Sequence, residues 1–268
     1  SGTITLNGSA LGGVSLAATN GGTCTSSNAS GQYSCTVPAG WSGTVTPTLA
    51  GYTFAPASRS YNSVAAHQTL QDYSASAAAT DVVWLEDELP AGAVTAGDAE
   101  GWNWVSSNPT PQSGALAHQS ALFNAGYHQH YFYNATATLS VGTGESLFTY
   151  VYLDPANPPS EVMLQWNDGS WEHRAYWGAN LISWGTNGTV SRRYMGPLPA
   201  AGQWVRLEVP ASLVGLEGRT LNGMAFTLHG GKATWDRAGK TSAAAPSLNL
   251  SGTITLNGSA LGGVSLAA

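Results

Sequence analysis

Charge is scarce in this 268-residue chain. Lys and Arg together number 9 and Asp and Glu 15, so charged residues make up 9% of the sequence and the net charge is −6. An average soluble domain carries about 25%. So few basic groups leave no positive patch for a phosphate backbone, which excludes nucleic acid as a partner. Long hydrophobic runs are missing too. No stretch approaches the roughly 18 apolar residues that cross a bilayer, so no membrane insertion is expected. Ser1 opens no charged-then-apolar leader, so the chain reads as mature or as an internal segment. Residues 1–76 show no helical period. The GxSxG elbow, the phosphate loop and the dinucleotide fingerprint are also lacking, and no enzyme is expected. Glu161, Asp168 and Glu172 are the carboxylates a glycosidase pair would draw on, but their surroundings read as turns and strand edges.

Cysteine is nearly absent, at two residues, Cys24 and Cys35. They flank the turn-rich stretch TSSNASGQYS between two predicted antiparallel strands, which places them opposite each other. A disulfide is the natural reading, and with it an oxidising, extracellular or cell-surface location. Two reduced structural thiols are the alternative, and a zinc site would lack nearby partner ligands.

Small polar residues and aromatics are abundant: 33 Gly, 10 Trp and 11 Tyr. Apolar and polar residues alternate in short runs. They include Thr3-Ile4-Thr5-Leu6 and Tyr33-Ser34-Cys35-Thr36-Val37 early, then 147–153, 162–166 and 204–209. Alternation broken by Gly, Asn and Pro predicts an all-β chain. A short helix near Pro210–Leu216 is the one weak exception. Composition divides the chain. Residues 1–76 contain one Arg, one Asp and no Lys, whereas nine of the ten tryptophans lie beyond Asp81. We expect a small sandwich over 1–76, a linker at 77–80 within the small-residue stretch SASAAAT, a larger jelly roll of two sheets over 81–237, and a second linker over 238–250.

The order NGSALGGVSLAATNGG, NASGQYSCTVPAGWSGTVTP, GYTFAPASRSY resembles the carboxypeptidase regulatory-like domain. That is a transthyretin-like, immunoglobulin-like sandwich related to collagen-adhesin B repeats, and it implies a spacer rather than a catalyst. The Lys–Asn crosslink of many adhesin repeats cannot form within 1–76, which has no lysine. In the second domain, WNWVSSNP, HQHYF, VYLDPANPPSEVMLQWNDGSWEHRAYWG and GQWVRLEVPASLVGLEGRTLNGMAF resemble a jelly-roll module of bacterial modular surface proteins, similar in design to carbohydrate-binding modules.

The richest segment for chemistry holds Trp171, Arg174, Tyr176, Trp177 and Trp184, followed by Arg192 and Arg193. Aromatic rings stack on the apolar faces of sugars and Arg forks bind their hydroxyls, so these seven are candidate glycan contacts. On a strand, Trp171, Ala175 and Trp177 share one face, and Glu172, Arg174 and Tyr176 the other; one set enters the core. His128 and His130 also share a strand face, and His118 or His173 would supply a third imidazole for a metal, but no HExxH-type signature accompanies them and strand histidines more often donate hydrogen bonds to backbone or carboxylates. Asp154 with Asn157, and the trio Glu86, Asp87 and Glu88, offer oxygen ligands for a structural calcium; no other cofactor is expected.

Finally, residues 1–18, SGTITLNGSALGGVSLAA, recur unchanged at 251–268. Repetition of this kind belongs to arrays of folded modules. The duplicated segment predicts a hairpin of Gly2–Leu6 and Val14–Ala17. Ile4, Leu6 and Val14, with Ile254, Leu256 and Val264 in the second copy, form its apolar face. The second copy is then either the start of a next repeat or a hairpin donated to a neighbouring chain. The leading expectation is an extracellular structural repeat assembling head to tail with copies of itself. The alternative is a carbohydrate-binding adhesin or accessory module whose partner is a polysaccharide.

Overall fold

The computed structural model describes residues 1–242 and, beyond them, the backbone of Thr255–Leu256 and Ser259–Ala260. Among the described residues the chain is all β, apart from a single 3-10 turn at Ala211–Val214. It divides into two compact units, with the boundary between Ala78 and Ala79.

In the first unit, one sheet runs in the order Ser9–Ala10, Gly2–Leu6, Tyr73–Ala77, Tyr52–Ala55, with Gln32–Tyr33 also paired to Gly2–Leu6. The second sheet is Ser15–Ala18, Trp41–Thr48, Arg59–Val64. Their inner faces meet in one cluster of Ile4, Tyr33 and Tyr73 from the first sheet with Leu16, Trp41 and Val45 from the second. Tyr73 is buried but keeps its hydroxyl satisfied by donating to the Val45 carbonyl at 2.9 Å, as a buried phenol must.

The duplicated segment is not the hairpin its pattern suggests. Gly2–Leu6 and Ser15–Ala18 lie in different sheets, because alternation orients side chains but does not assign a strand to a sheet. The hairpin that forms is tighter, Gly2–Leu6 with Ser9–Ala10. Its two-residue turn places Asn7 at φ 51° and Gly8 at φ 81°, the twin positive values that favour Asn-Gly. The same register, Thr5↔Ala10 and Leu6↔Ser9, recurs as Thr255↔Ala260 and Leu256↔Ser259. Ile4 and Val14 are fully buried in the first unit. Ile254 and Val264, and the side chain of Leu256, lie outside the described residues.

Two expected linkers are partly strand. Of the first, 77–80, Ala77 ends the strand Tyr73–Ala77 and pairs with Tyr52. Residues 238–241 continue the central strand Ala233–Thr241, which pairs there with Asp81–Leu85. Small residues suit a strand whose neighbours lie close, and composition alone reads them as flexible.

The second unit is a two-sheet sandwich. One sheet runs Trp104–Val105, Ala117–Gln119, Ala233–Thr241, Ser146–Leu153, Trp204–Pro210, with Asp81–Leu85 added on Ala233–Thr241. The other runs Val94–Asp98, Tyr127–Tyr133, Gly223–His229, Glu161–Asn167, His173–Gly178, Arg193–Gly196. Between them lies the larger core, with Phe132, Leu164, Trp166, Trp177, Phe226 and Trp235 among its members. Period-2 geometry then fixes the outer face of the second sheet. If Phe132, Phe226, Leu164 and Ala175 point inward, Gln129 and Tyr131, Ala225 and Thr227, Gln165, and Arg174 point outward.

Cys24 and Cys35 face each other in a two-strand ladder and are bonded, 11 residues apart in sequence. A loop of this length limits the unfolded chain by about 2–3 kcal/mol. Replacing both cysteines by serine is expected to destabilise the first unit by that amount and leave the second unit's transition unmoved. Calorimetric unfolding of wild type and variant, compared with a reduced wild-type sample, checks this.

Candidate functional site

The outer face of the Val94–Asp98 to Arg193–Gly196 sheet holds a groove of about 270 Å³ lined by Gln129, Tyr131, Gln165, Trp171, Arg174, Trp184 and Ala225. Its floor is a hydrogen-bonded row across five strands. Arg174 Nε donates to Gln165 Oε1 at 2.8 Å. Gln165 Nε2 donates to Gln129 Oε1 at 2.8 Å and to Thr227 Oγ1 at 3.0 Å. The Thr227 hydroxyl donates to Gln129 Oε1 at 2.9 Å, and Gln129 Nε2 donates to Asp98 Oδ2 at 2.5 Å. Strand register places these partners, since Asp98 opposes Gln129, Gln129 opposes Thr227, and Gln165 opposes Arg174.

Arg174 is also forked onto Glu172, with Nη1 and Nη2 each at 3.1 Å from one carboxylate oxygen, and Nη1 reaches the Ser191 carbonyl at 3.1 Å. The guanidinium holds the exposed Glu172 carboxyl below the usual carboxylate range. Arg174 itself is 6% exposed and Gln165 4%. These side chains are therefore locked rather than mobile.

Aromatic pairs flank the floor. Tyr131 meets Trp171 edge to face at 5.6 Å, and Tyr127 meets Trp184 at 4.7 Å. Gln129 lies between the two tyrosines on its strand. Trp184 rides on a loop tied to the sheet at several points. Glu161 Oε2 accepts the backbone N–H groups of Leu181 and Ile182, at 2.5 and 3.0 Å. Tyr176 donates to Asn187 Oδ1 at 2.9 Å, Arg192 Nη1 to the Ile182 carbonyl at 3.0 Å, and Arg193 Nη1 to the Gly188 carbonyl at 3.3 Å. Burial pushes the Glu161 carboxyl up, with the two backbone donors opposing it.

Of the seven predicted contacts, the structure brings Trp171, Arg174 and Trp184 into the groove. Trp171 departs from the expected alternation because the strand begins at His173, leaving Trp171 in the preceding turn, free to join Arg174's side. Trp177 is a correction: it lies in the inter-sheet core, 7% exposed. Tyr176 points outward but is buried under the loop with Met163 and Ile182. Arg192 and Arg193 hold the loop and do not line the groove. Gln129, Gln165, Tyr131 and Asp98 were missed. The signal for Gln165 was a lone amide inside the apolar run Val162–Trp166, and for Gln129 and Tyr131 the polar-aromatic alternation of Tyr127–Tyr133.

The histidines do not form a metal cage. His128 and His130 share an inward face as expected, but their Nδ1 atoms each meet Glu100, at 2.6 Å. The Ala121 N–H also donates to Glu100, at 2.9 Å. A carboxylate only accepts, so both imidazoles carry a proton there. His130 Nε2 then accepts from His118 Nδ1 at 2.7 Å. His173 is elsewhere, bonded to the Val214 carbonyl and Asp168. Among the described residues no group of three His, Cys, Asp or Glu is arranged for a metal. Asp154 Oδ1 caps its own turn by accepting from Ala156 and Asn157. Glu86 accepts from Ser113 Oγ, and Asp87 from the Ala115 and Leu116 N–H groups. The three candidate acids of a glycosidase pair are separately engaged, Glu161 with its loop, Asp168 with His173 and Arg219, and Glu172 with Arg174.

Two outcomes follow from these placements. Trp177→Ala is expected to cost about 3–5 kcal/mol as a core truncation, while Trp184→Ala leaves the second unit folded; urea unfolding of both variants separates the roles. His118 is fully buried, and burial together with His130 pulls its pKa well below 6.5. The unfolded chain takes up a proton near 6.5 that native His118 refuses, so this residue makes the protein lose stability as pH falls. The loss sets in as pH falls through about 6.5, where the unfolded imidazole begins to protonate. Burial alone would raise Glu100, but the bonds from His128 and His130 hold it below its ordinary value, so its contribution is lost in the same direction at lower pH. His118→Asn keeps a donor for His130 and cannot titrate. Its unfolding free energy is expected to fall less than wild type's between about pH 6.5 and about pH 5.

No protein-family model and no curated relative matches this sequence. Among solved structures the chain is similar to a β-sandwich carbohydrate-binding module described for promiscuous specificity (11% identity, 85% of this chain and 86% of that one, TM-score 0.39). It is similar to a family 61 carbohydrate-binding module in complex with β-1,4-galactotriose (11% identity, 59% and 97%, TM-score 0.35). It is also similar to the glycoside hydrolase domain of Endo-D from Streptococcus pneumoniae R6 (12% identity, 56% and 21%, TM-score 0.35), about a fifth of whose length it spans. Likenesses of this size assign no ligand to the chain, and the groove has to be judged on its own atoms.

Proposed function

We propose that the second unit is a carbohydrate-binding module that holds a polysaccharide segment in the groove of Trp171, Arg174 and Trp184. The observation that carries this reading is the polar row flanked by aromatic pairs. The row crosses four strand spacings, about 19 Å at about 4.8 Å each. The tyrosines that anchor its flanks are four residues apart, about 13 Å along the strand. A sugar chain has two kinds of surface. Its ring faces are apolar and suit indole and phenol rings. Its hydroxyls both donate and accept, and so match a floor that runs from a guanidinium through two amides and a hydroxyl to a carboxylate. Because the floor is already fixed, little ordering entropy is lost on binding.

The first unit then serves as a spacer, in line with its resemblance to transthyretin-like repeats, and its disulfide fits an exported protein. The exact recurrence of residues 1–18 at 251–268, with the tight hairpin's register reproduced, favours a second reading in which such modules follow one another in an array. Light scattering of the chain with and without residues 251–268 tests whether separate chains join in this way: a monomer mass for the full chain at all concentrations refutes assembly between chains.

For the groove, a panel of β-1,4-linked glucan, mannan, xylan and galactan oligosaccharides is titrated by calorimetry. Trp171→Ala and Trp184→Ala are each expected to weaken binding at least tenfold, the scale of one lost aromatic contact. Arg174→Lys keeps the charge but cannot make the planar fork, and is expected to weaken binding as well. Wild-type affinity in all three variants, or no binding by the wild type, would sink the reading.

A further inference from the structure

The opposite sheet carries a second groove. It has a volume of about 250 Å³ and is lined by Gln119, Tyr152, Asp154, Pro155, Lys232 and Thr234, with Asn108 and Pro109 on one side. Its floor repeats the device of the first. Gln119 is 8% exposed and Thr234 2%. Gln119 Nε2 donates to Thr234 Oγ1 at 2.8 Å and to the Asn108 carbonyl at 2.9 Å. Both amide hydrogens are thereby used, as they are in Gln165. The orientation of the carboxamide is fixed, and its Oε1 is the atom left to accept a bond from a ligand.

Both walls are built. On one side the 108–113 loop is held by Gln119, by Trp204 Nε1 donating to the Thr110 carbonyl at 2.9 Å, and by Asp236, whose Oδ2 accepts the Gln112 and Ser113 N–H groups at 2.7 and 3.1 Å. On the other, the turn at Asp154–Asn157 is closed by Asp154 Oδ1 and by Asn157 N–H donating to the Asp154 carbonyl at 3.2 Å. Tyr152 supplies a half-buried ring, braced edge to face by Trp204 at 5.8 Å. Lys232 and Asp154 add an ammonium and a carboxylate at the lining.

We infer that this groove is a second saccharide-binding site, on the sheet face opposite the first. The inference rests on the carbohydrate reading of the first groove for its ligand class. A fixed amide acceptor, a braced aromatic ring, and one donor and one acceptor of full charge form a set that recognises a hydroxylated ring. A purely apolar ligand would leave the lysine, the aspartate and the amide oxygen unmatched.

The test uses the same oligosaccharide panel on the full chain, with calorimetric stoichiometry and amide chemical-shift mapping. Four proteins are compared: wild type, the double variant Trp171→Ala/Trp184→Ala, and that double variant carrying Tyr152→Ala or Lys232→Ala. Two ligands per wild-type chain are expected, with one retained by the double variant and weakened at least tenfold by either addition. Lys232→Ala truncates a partly exposed side chain, so it reads the site even if Tyr152→Ala disturbs folding. One ligand per chain, lost entirely in the double variant, overturns the second site and leaves the first standing. Binding that survives the double variant undiminished and disappears with Lys232→Ala supports the second site and removes the first. No binding by any protein to any oligosaccharide overturns both.

Discussion

Arg174 has five N–H donors and no acceptor, and Asp98 at the other end of the floor has acceptors and no donor. Those two facts set every group between them. Gln165 must turn its oxygen toward the guanidinium, which leaves its amide nitrogen to donate to Gln129 and Thr227. Gln129 must then turn its oxygen toward Gln165, which sends its own nitrogen to Asp98. The amides have no freedom to flip unless one end is removed. A ligand therefore meets a surface whose donors and acceptors are fixed before it arrives, and the order of that surface follows from strand register.

The same constraint governs the buried end of the sandwich. His118 and His130 pack between Trp102 and Phe226, His128 packs on Phe123, and the Glu100 side chain that joins His128 and His130 is buried with them. A lone carboxylate there would carry a large desolvation penalty. It is tolerated because it accepts from two imidazoles and a backbone N–H, and because His130 passes the polarity on to His118. This network holds the Tyr127–Tyr133 strand from its inner side, while Gln129 and Tyr131 work on the outer side of the same strand. Inner packing and outer binding surface share one backbone, so a disturbance of the His cluster reaches the groove floor.

The all-β architecture was legible because period-2 alternation is local, and so was the disulfide, whose two cysteines lie 11 residues apart. Trp171, Arg174 and Trp184 were legible as an aromatic and cationic cluster close in sequence. What the pattern could not supply was sidedness. Alternation separates Arg174 from Trp177 without saying which one faces the core, and Trp177 is inside. Nor does alternation say where a strand begins, which moved Trp171 to the groove. Gln165 and Gln129 acquire their meaning from each other, 36 residues apart in sequence, and from strand neighbours that only folding provides. That His128 and His130 share a face was legible, and so was the tendency of strand histidines to bond carboxylates, but not which carboxylate, because Glu100 lies 28 and 30 residues away.

Each groove owes one wall to a buried carboxyl used in the same way. Glu161 Oε2 gathers the consecutive N–H groups of Leu181 and Ile182, and Asp236 Oδ2 gathers those of Gln112 and Ser113. In both, the second oxygen is buried with no hydrogen-bond partner among the described residues. Two convergent backbone donors need a strong acceptor, which a carboxyl provides and an alkyl or hydroxyl group does not. The cost appears as a raised pKa. Burial pushes Asp236 up to about 6, and Glu161 rises for the same reason. For an acid with a raised native pKa, the native state binds the proton more tightly than the unfolded chain. These two groups therefore favour folding more as pH drops through the native pKa, opposing the trend set by His118 and Glu100. Burial sets this net direction, while the backbone N–H bonds themselves favour the ionised carboxyl, so protonation relieves the buried charge and at the same time weakens its hold on the wall loops.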